Sequence, residues 1–180
     1  GGVKAFNSMM QDMLSRRMLE VLLMRAVIGQ NVEGGKKMVA LGARISRKVL
    51  KFKFARVTDT SLEILCPALH GNDTLHTLDL TSPGDKGLIT HRGVTYLVAA
   101  LMRNTSLQEL VLSNNPMIGE LGVAEISEEV LRSPGCALTR LHLRRTGMDN
   151  DAMRALAGAL AANTSLQHLD VSLNDDVQDD

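Results

Sequence analysis

Along most of the chain the leucines follow a pattern that changes its period. Leu141 and Leu143 alternate with His142 and Arg144, the period of two that a strand requires. Thr146-Gly147 then turns the chain, and Met153, Leu156 and Leu160 recur on one face of a helix. Asp149 to Asp151 offers side-chain oxygens for the start of that helix. The same unit recurs upstream and downstream. Asn104-Thr105-Ser106-Leu107-Gln108-Glu109-Leu110 reappears as Asn163-Thr164-Ser165-Leu166-Gln167-His168-Leu169, with a looser copy from Asn72 to Leu80 and a degenerate first one from Val49 to Phe54. Leading positions fall at 47, 75, 107, 138 and 166, so the spacings are 28, 32, 31 and 28. Helical faces follow as Leu62, Leu65 and Leu69, then Val94, Leu97 and Leu101, then Val123, Ile126 and Val130.

One strand and one helix cannot bury their apolar side alone, whereas stacked units pool their leucines into a continuous core. Strands that recur in one sense and are separated by a helix must be parallel. The pattern therefore predicts a parallel sheet lining the inside of a curve, with helices outside.

Residues 1–46 lack the repeat and are read as a helical cap or docking segment, ahead of repeats over 47–174 and an acidic tail or next repeat over 175–180. Phe6, Met10, Met13, Leu14, Val21, Met24 and Ile28 recur at helical spacing, so one long amphipathic helix is expected, ended by Gly29-Gln30-Asn31. A second helix is expected from about Lys36 to Ser46, with Gly34-Gly35 separating the two. Such helices either cover the first repeat or dock onto another protein through Met9, Met10, Met13, Met18 and Met24.

The L-x-x-L-x-L-x-x-N pattern, with Asn115 and Asn174 at its last position, resembles the leucine-rich repeat, and a 28-residue unit with a full helix is similar to the ribonuclease-inhibitor-like subclass. The resemblance covers about residues 47–174 and implies an α/β solenoid, a horseshoe with parallel strands on its concave side, helices on its convex side and a helical cap. Ala55, Pro83 and Thr146 stand at the asparagine position in the other units, so the asparagine ladder of the family is expected to be incomplete. Insertions of about four residues near Pro83 to Leu88 and about three in the next unit are expected to bulge from the turns, either as specificity loops or as tolerated slack.

The 20 basic and 20 acidic residues cancel, and nothing in the net charge selects a nucleic acid or a membrane. Their distribution is uneven. Residues 1–60 carry a local +8 and the remainder a local −8. Between Glu33 and Asp59 the chain is purely basic, with Lys36, Lys37, Arg44, Arg47, Lys48, Lys51, Lys53 and Arg56. This stretch either faces phosphate or an acidic protein surface, or is a solvated face balanced by Asp175, Asp176, Asp179 and Asp180. With only Phe6, Phe52, Phe54 and Tyr96 aromatic, there is no stacking platform for nucleic acid. The apolar run from Leu19 to Ile28 is interrupted by Glu20 and Arg25 and falls short of the roughly 20 residues that cross a bilayer. Cys66 and Cys136 form no disulfide framework, and no signal peptide is evident, which reads as a reducing, intracellular setting. A Gly-Gly start without Met and a strand-like end read as a segment of something longer.

Chemistry has few candidates. Gly29 to Lys37 departs from a phosphate loop in spacing and has Lys37 where a hydroxyl must reach magnesium. The sequons at Asn72, Asn104 and Asn163 share one slot between helix and strand, where Asn is expected to take a left-handed conformation and the Thr/Ser hydroxyls to bond the turn backbone. His70, His76, His91, His142 and His168 share no metal-ligand spacing, with only His76, His142 and His168 expected on strands. Cys66 reads as a small core residue, Cys136 as part of a turn. No catalytic constellation, cofactor site or metal site is expected.

What remains is the polar face of the strands: Lys51, Lys53, Asp79, Val111, His142, Arg144, His168 and Asp170 are the candidate partner-binding residues, joined by Lys36, Lys37, Arg44, Arg47, Lys48 and Arg56 of the basic stretch. With neighbouring strands about 4.8 Å apart, Lys51 is expected beside Asp79 and His142 beside Asp170. The expected function is a non-enzymatic protein-interaction scaffold within a larger cytoplasmic or cytoskeletal assembly, with a ciliary or flagellar axonemal one in view. The resemblance also extends to activators of small GTPases of the Ran-activator kind, whose essential Arg or Asn matches no residue here, and to tropomodulin-like actin binders.

Overall fold

Among the described residues, five three-residue strands form one parallel sheet in the order β1-β2-β3-β4-β5: β1 (Val49–Lys51), β2 (Thr77–Asp79), β3 (Glu109–Val111), β4 (Arg140–His142) and β5 (His168–Asp170). The register is strict. Leu50, Leu78, Leu110, Leu141 and Leu169 are successive Cα partners, so every strand turns its central leucine to the same side. The computed structural model describes residues 2–52, 55–84 and 86–175, with the side chains of 2–11, 13 and 14 left aside.

Helices cross over between consecutive strands: α3 (Asp59–Leu69), α4 (His91–Leu101), α5 (Gly119–Glu125) and α6 (Asn150–Leu160), after the N-terminal α1 (Gly2–Ile28) and α2 (Val32–Ala40). Their starts are specified locally. Thr58 and Ser61 form a capping box on α3, and the Asp149 carboxylate accepts from Ala152 N at 2.9 Å at the start of α6. The expected apolar faces are buried on α3, α4 and the third helix, and on α6 Leu156 is fully buried while Met153 and Leu160 are half-buried. With Leu78, Leu80, Leu110, Leu112, Leu141 and Leu143 they make one continuous core.

Two asparagine ladders stitch the turns. Asn115 Nδ2 donates to Leu80 O and Leu112 O, and Asn174 Nδ2 to Leu143 O and Val171 O, each satisfying carbonyls of its own and the preceding unit. The second ladder sits at the opposite turn. Asn72 Nδ2 reaches Ile45 O, Asn104 Nδ2 reaches Leu69 O and Asn72 O, and Asn163 Nδ2 reaches Leu131 O, while each Oδ1 accepts from the backbone N–H three residues on. The left-handed conformation expected at these positions is not adopted: among the described residues the positive-φ non-glycine ones are Gln30, Asn114, Arg145 and Leu173. The asparagine is chosen for its side-chain amide, not for its backbone. Thr74 and Ser106 hydroxyls do bond turn carbonyls.

Where Ala55 and Pro83 replace the ladder asparagine, a cavity of about 480 Å³ opens beside Val57, Leu80 and Leu88. The second-unit insertion is not all slack. Pro83 and Gly84 are exposed, but Gly87 lies so close to Asn114 that a Cβ there would stand 2.3 Å from its carbonyl oxygen. In the third unit α5 is preceded by a 3-10 turn, Pro116–Ile118, and continues as a π-helical segment, Ile126–Leu131.

The N-terminal helices differ from expectation in two ways. The second helix begins at Val32 and ends at Ala40, and Gly34-Gly35 lies inside it; the Asn31 side chain caps it by accepting from Gly34 N at 2.9 Å. Gly35 is buried against α3, where a Cβ would lie 2.2 Å from Ile64 Cγ2, so the absent side chain permits the approach. On α1, Leu23, Ala26 and Val27 are buried and Leu19 and Met24 pack beside them, whereas Val21 and Ile28 are exposed. The inward face is rotated because α1 packs against both α2 and α3. Phe6, Met10, Met13 and Leu14 lie outside the described side chains.

Candidate functional site

The outward face of the sheet carries two rows of side chains, one on each side of the buried leucines. Lys51, Asp79, Val111, His142 and Asp170 follow one another as Cα partners in the row after the leucine. Lys51 Nζ lies 3.8 Å from Asp79 Oδ2, as the alternation predicts. Asp79 Oδ1 is also held by Thr81, whose Oγ1 donates at 2.6 Å.

His142 stands beside Asp170 as expected, but its ring nitrogen meets a different carboxylate. Its Cα pairs with that of Asp170, but its Nε2 lies 3.3 Å from Glu109 Oε1 on the preceding strand. Asp170 is already engaged: its Oδ1 accepts from Ser172 Oγ at 2.6 Å and from Ser172 N at 3.0 Å. Those two bonds, above all the hydroxyl, hold the Asp170 carboxyl below its ordinary value, with His142 and Arg144 adding smaller attraction. Val111, the other neighbour of His142, offers no polar atom, and the longer Glu109 reaches across. Thr77 Oγ1 donates to the second Glu109 oxygen at 3.1 Å. Nε2 is buried and makes no aligned hydrogen bond.

The row before the leucine, Thr77, Glu109, Arg140 and His168, is the part that sequence reasoning missed, apart from His168. The signal was present: in a strand of period two, the residues before and after an inward leucine must face the same way. His168 and Arg144 are exposed, the latter with Nη1 3.4 Å from Ser172 Oγ. Lys53 lies outside the described residues. Together the rows form a mixed face of carboxylates, imidazoles and cations, suited to hydrogen bonding and ion pairing with a polar protein surface.

The basic stretch is spread over α2, the segment between α2 and β1, β1 itself and the segment after it. Lys36 and Lys37 are exposed on α2, and Lys36 Nζ is 3.7 Å from Glu63 and 3.9 Å from Glu33. Arg44, Arg47 and Lys48 are exposed between α2 and β1, and Arg56 follows β1. Arg47 is committed: its Nε donates to Glu20 Oε1 at 2.9 Å, and Glu20 is buried in α1. The other Glu20 oxygen accepts from Ser46 Oγ.

Of the remaining chemistry, Cys66 is buried and burial pushes its thiol up, while Cys136 is half-buried at its turn. His70 caps the end of α3, His91 opens α4, and His76 lies one residue before β2 rather than on it. Among the described residues no three His, Cys, Asp or Glu side chains are placed to hold a metal ion, and no helix is long and apolar enough to cross a membrane.

The family model described as "Leucine Rich repeat" matches residues 103–127 and 162–180. NACHT, LRR and PYD domains-containing protein 5 of Homo sapiens is 37% identical over 130 residues, 72% of this chain and 10% of that protein. Ribonuclease inhibitor of Mus musculus is 31% identical over 135 residues, 74% of this chain and 28% of the inhibitor. Centrosomal protein of 78 kDa of Homo sapiens is 25% identical over 162 residues, 76% of this chain and 23% of that protein. The chain thus spans less than a third of each of these relatives. Repeats of this kind are protein-interaction modules and in general catalyse nothing. Parallel in-register strands, crossover helices and these relatives agree: the chain belongs to the leucine-rich-repeat proteins of the ribonuclease-inhibitor-like type.

Proposed function

We propose that the chain is a non-enzymatic docking module whose outward strand face binds another protein within a cytoplasmic assembly. The observation that carries this reading is the paired row arrangement on the sheet, with Lys51–Asp79 and Glu109–His142 pointing away from a core that is complete without them. Surface pairs of this kind are worth only about 0–1 kcal/mol to the fold. Their arrangement is therefore open to selection by a partner. The relative named Ribonuclease inhibitor supports protein binding by this scaffold, and the relative named Centrosomal protein of 78 kDa supports a cytoskeletal setting.

The N-terminal helix supplies a second surface to the same reading. Met18, Val21, Leu22 and Ile28 are exposed on α1, at 60%, 46%, 37% and 54%. They are apolar side chains left in water around the exposed Arg25, and they fit the assembly reading.

The test is a photo-cross-linking amino acid placed at Val111, with Ala99 on the convex side of α4 as the comparison, in cells that express the intact protein. An adduct of one defined protein from position 111 and none from position 99 is expected. Adducts from position 99 alone would move the interface to the helices.

A further inference from the structure

We infer that Ser46 is a phosphorylation site whose modification releases α1 from the repeats. This goes beyond docking on the sheet, since it concerns how the N-terminal helix is held. Ser46 is exposed in the irregular stretch between α2 and β1, where chain of this kind can enter a kinase cleft, and its hydroxyl donates to a carboxylate oxygen of Glu20. Glu20 is buried at 5% exposure, and its other oxygen takes Arg47 Nε at 2.9 Å. Arg44, Arg47 and Lys48 surround the serine, all exposed, and match the acidic substrate groove of an arginine-directed serine kinase.

The chemistry is phosphoryl transfer. The Ser46 oxygen bonds to the γ-phosphorus of a nucleoside triphosphate, the bond from that phosphorus to the bridging oxygen breaks, the nucleoside diphosphate leaves and the hydroxyl proton passes to the kinase base. Two effects follow at the clasp. The only donor that Ser46 gave to Glu20 is lost, and a group of charge near −2 stands beside a buried carboxylate. Arg47 adjoins the serine in sequence, and the phosphate, with the larger charge and more acceptor oxygens, competes with the Glu20 carboxylate for its guanidinium. A buried carboxylate beside a phosphate and with a shared cation is costly to keep, and movement of α1 with hydration of Glu20 relieves that cost.

The experiment uses the 180-residue chain and an arginine-directed kinase chosen for activity on the peptide 40–52, with magnesium and ATP, followed by fragment mass analysis and amide hydrogen exchange. Phosphate on Ser46 and exchange across residues 15–28 at least about tenfold faster are expected. Ser46→Ala, which loses one neutral donor and gains no charge, should exchange within about threefold of the parent chain. In Glu20→Gln the neutral amide can donate to the phosphate, so phosphorylation should accelerate exchange little. A Ser46 that stays unmodified in the folded chain, unchanged exchange after modification, or equal acceleration in Glu20→Gln would overturn the inference.

Discussion

Arg47 stands at the position that Leu75, Leu107, Leu138 and Leu166 fill in the later units, and its guanidinium closes on the buried Glu20 of α1 at 2.9 Å. The first unit thus exchanges a leucine, which needs a preceding repeat to cover it, for a cation that needs a carboxylate. The ionic clasp joins α1 to the edge of the sheet, and Leu23, Ala26 and Val27 supply the apolar part of the same junction.

Glu20→Ala should weaken that junction without unfolding the repeats. Arg47 is half-exposed and can be hydrated when its partner is lost, so the cost should be near 1–2 kcal/mol, that of a charge-assisted bond. Chemical denaturation should show the loss, with faster exchange confined to α1.

Asn104→Ala should cost more, about 3 kcal/mol, because Leu69 O and Asn72 O lose their donor and Ser106 N and Leu107 N their acceptor in a buried turn. A urea midpoint unchanged from the parent would show that this ladder is ornamental.

Ala55→Asn is expected to stabilise. It places an amide at the vacant ladder position beside the 480 Å³ cavity, and one satisfied donor is worth about 1 kcal/mol. A lowered melting temperature would show that the gap cannot accept the side chain.

Much of the repeat region could be read in the chain. Leucine alternation gave the strands, their order and their inward side, because a one-residue slip would turn Leu78, Leu110 and Leu141 to water. The N-terminal region was less legible. Gly34-Gly35 reads locally as a helix breaker, yet the approach of α2 to Ile64 requires Gly35 inside the helix. A pairing such as His142 with Glu109 depends on side-chain reach and on Ser172 having engaged Asp170, neither of which spacing expresses.

The Asp170 carboxyl is held below its ordinary value of 3.8, so folding favours its ionised form. Its contribution is complete above the unfolded value and is lost as pH falls through the folded one. Ser172→Ala should flatten the decline in stability below about pH 4, read by denaturation from pH 6 to pH 2. An unchanged acid limb would leave Ser172 without this role.

Cys66 and Cys136 should separate by reactivity. Burial raises the Cys66 thiol, so a maleimide should label Cys136 in the folded chain and Cys66 only after unfolding. Equal labelling rates in native buffer would contradict the packing of α3.

Once the cross-linked protein has been identified and purified, the most direct measurement is its affinity for two variants of this chain, Glu109→Ala with His142→Ala on the sheet and Glu128→Ala with Arg132→Ala on the convex side. Both pairs are partly exposed polar contacts, at 3.3 and 3.2 Å, so their removal should be comparably tolerated by the fold. The account predicts a Kd at least about tenfold weaker for the sheet variant, equivalent to about 1.4 kcal/mol, with the convex variant within about twofold of the parent. Weakened binding by the convex variant alone would contradict it.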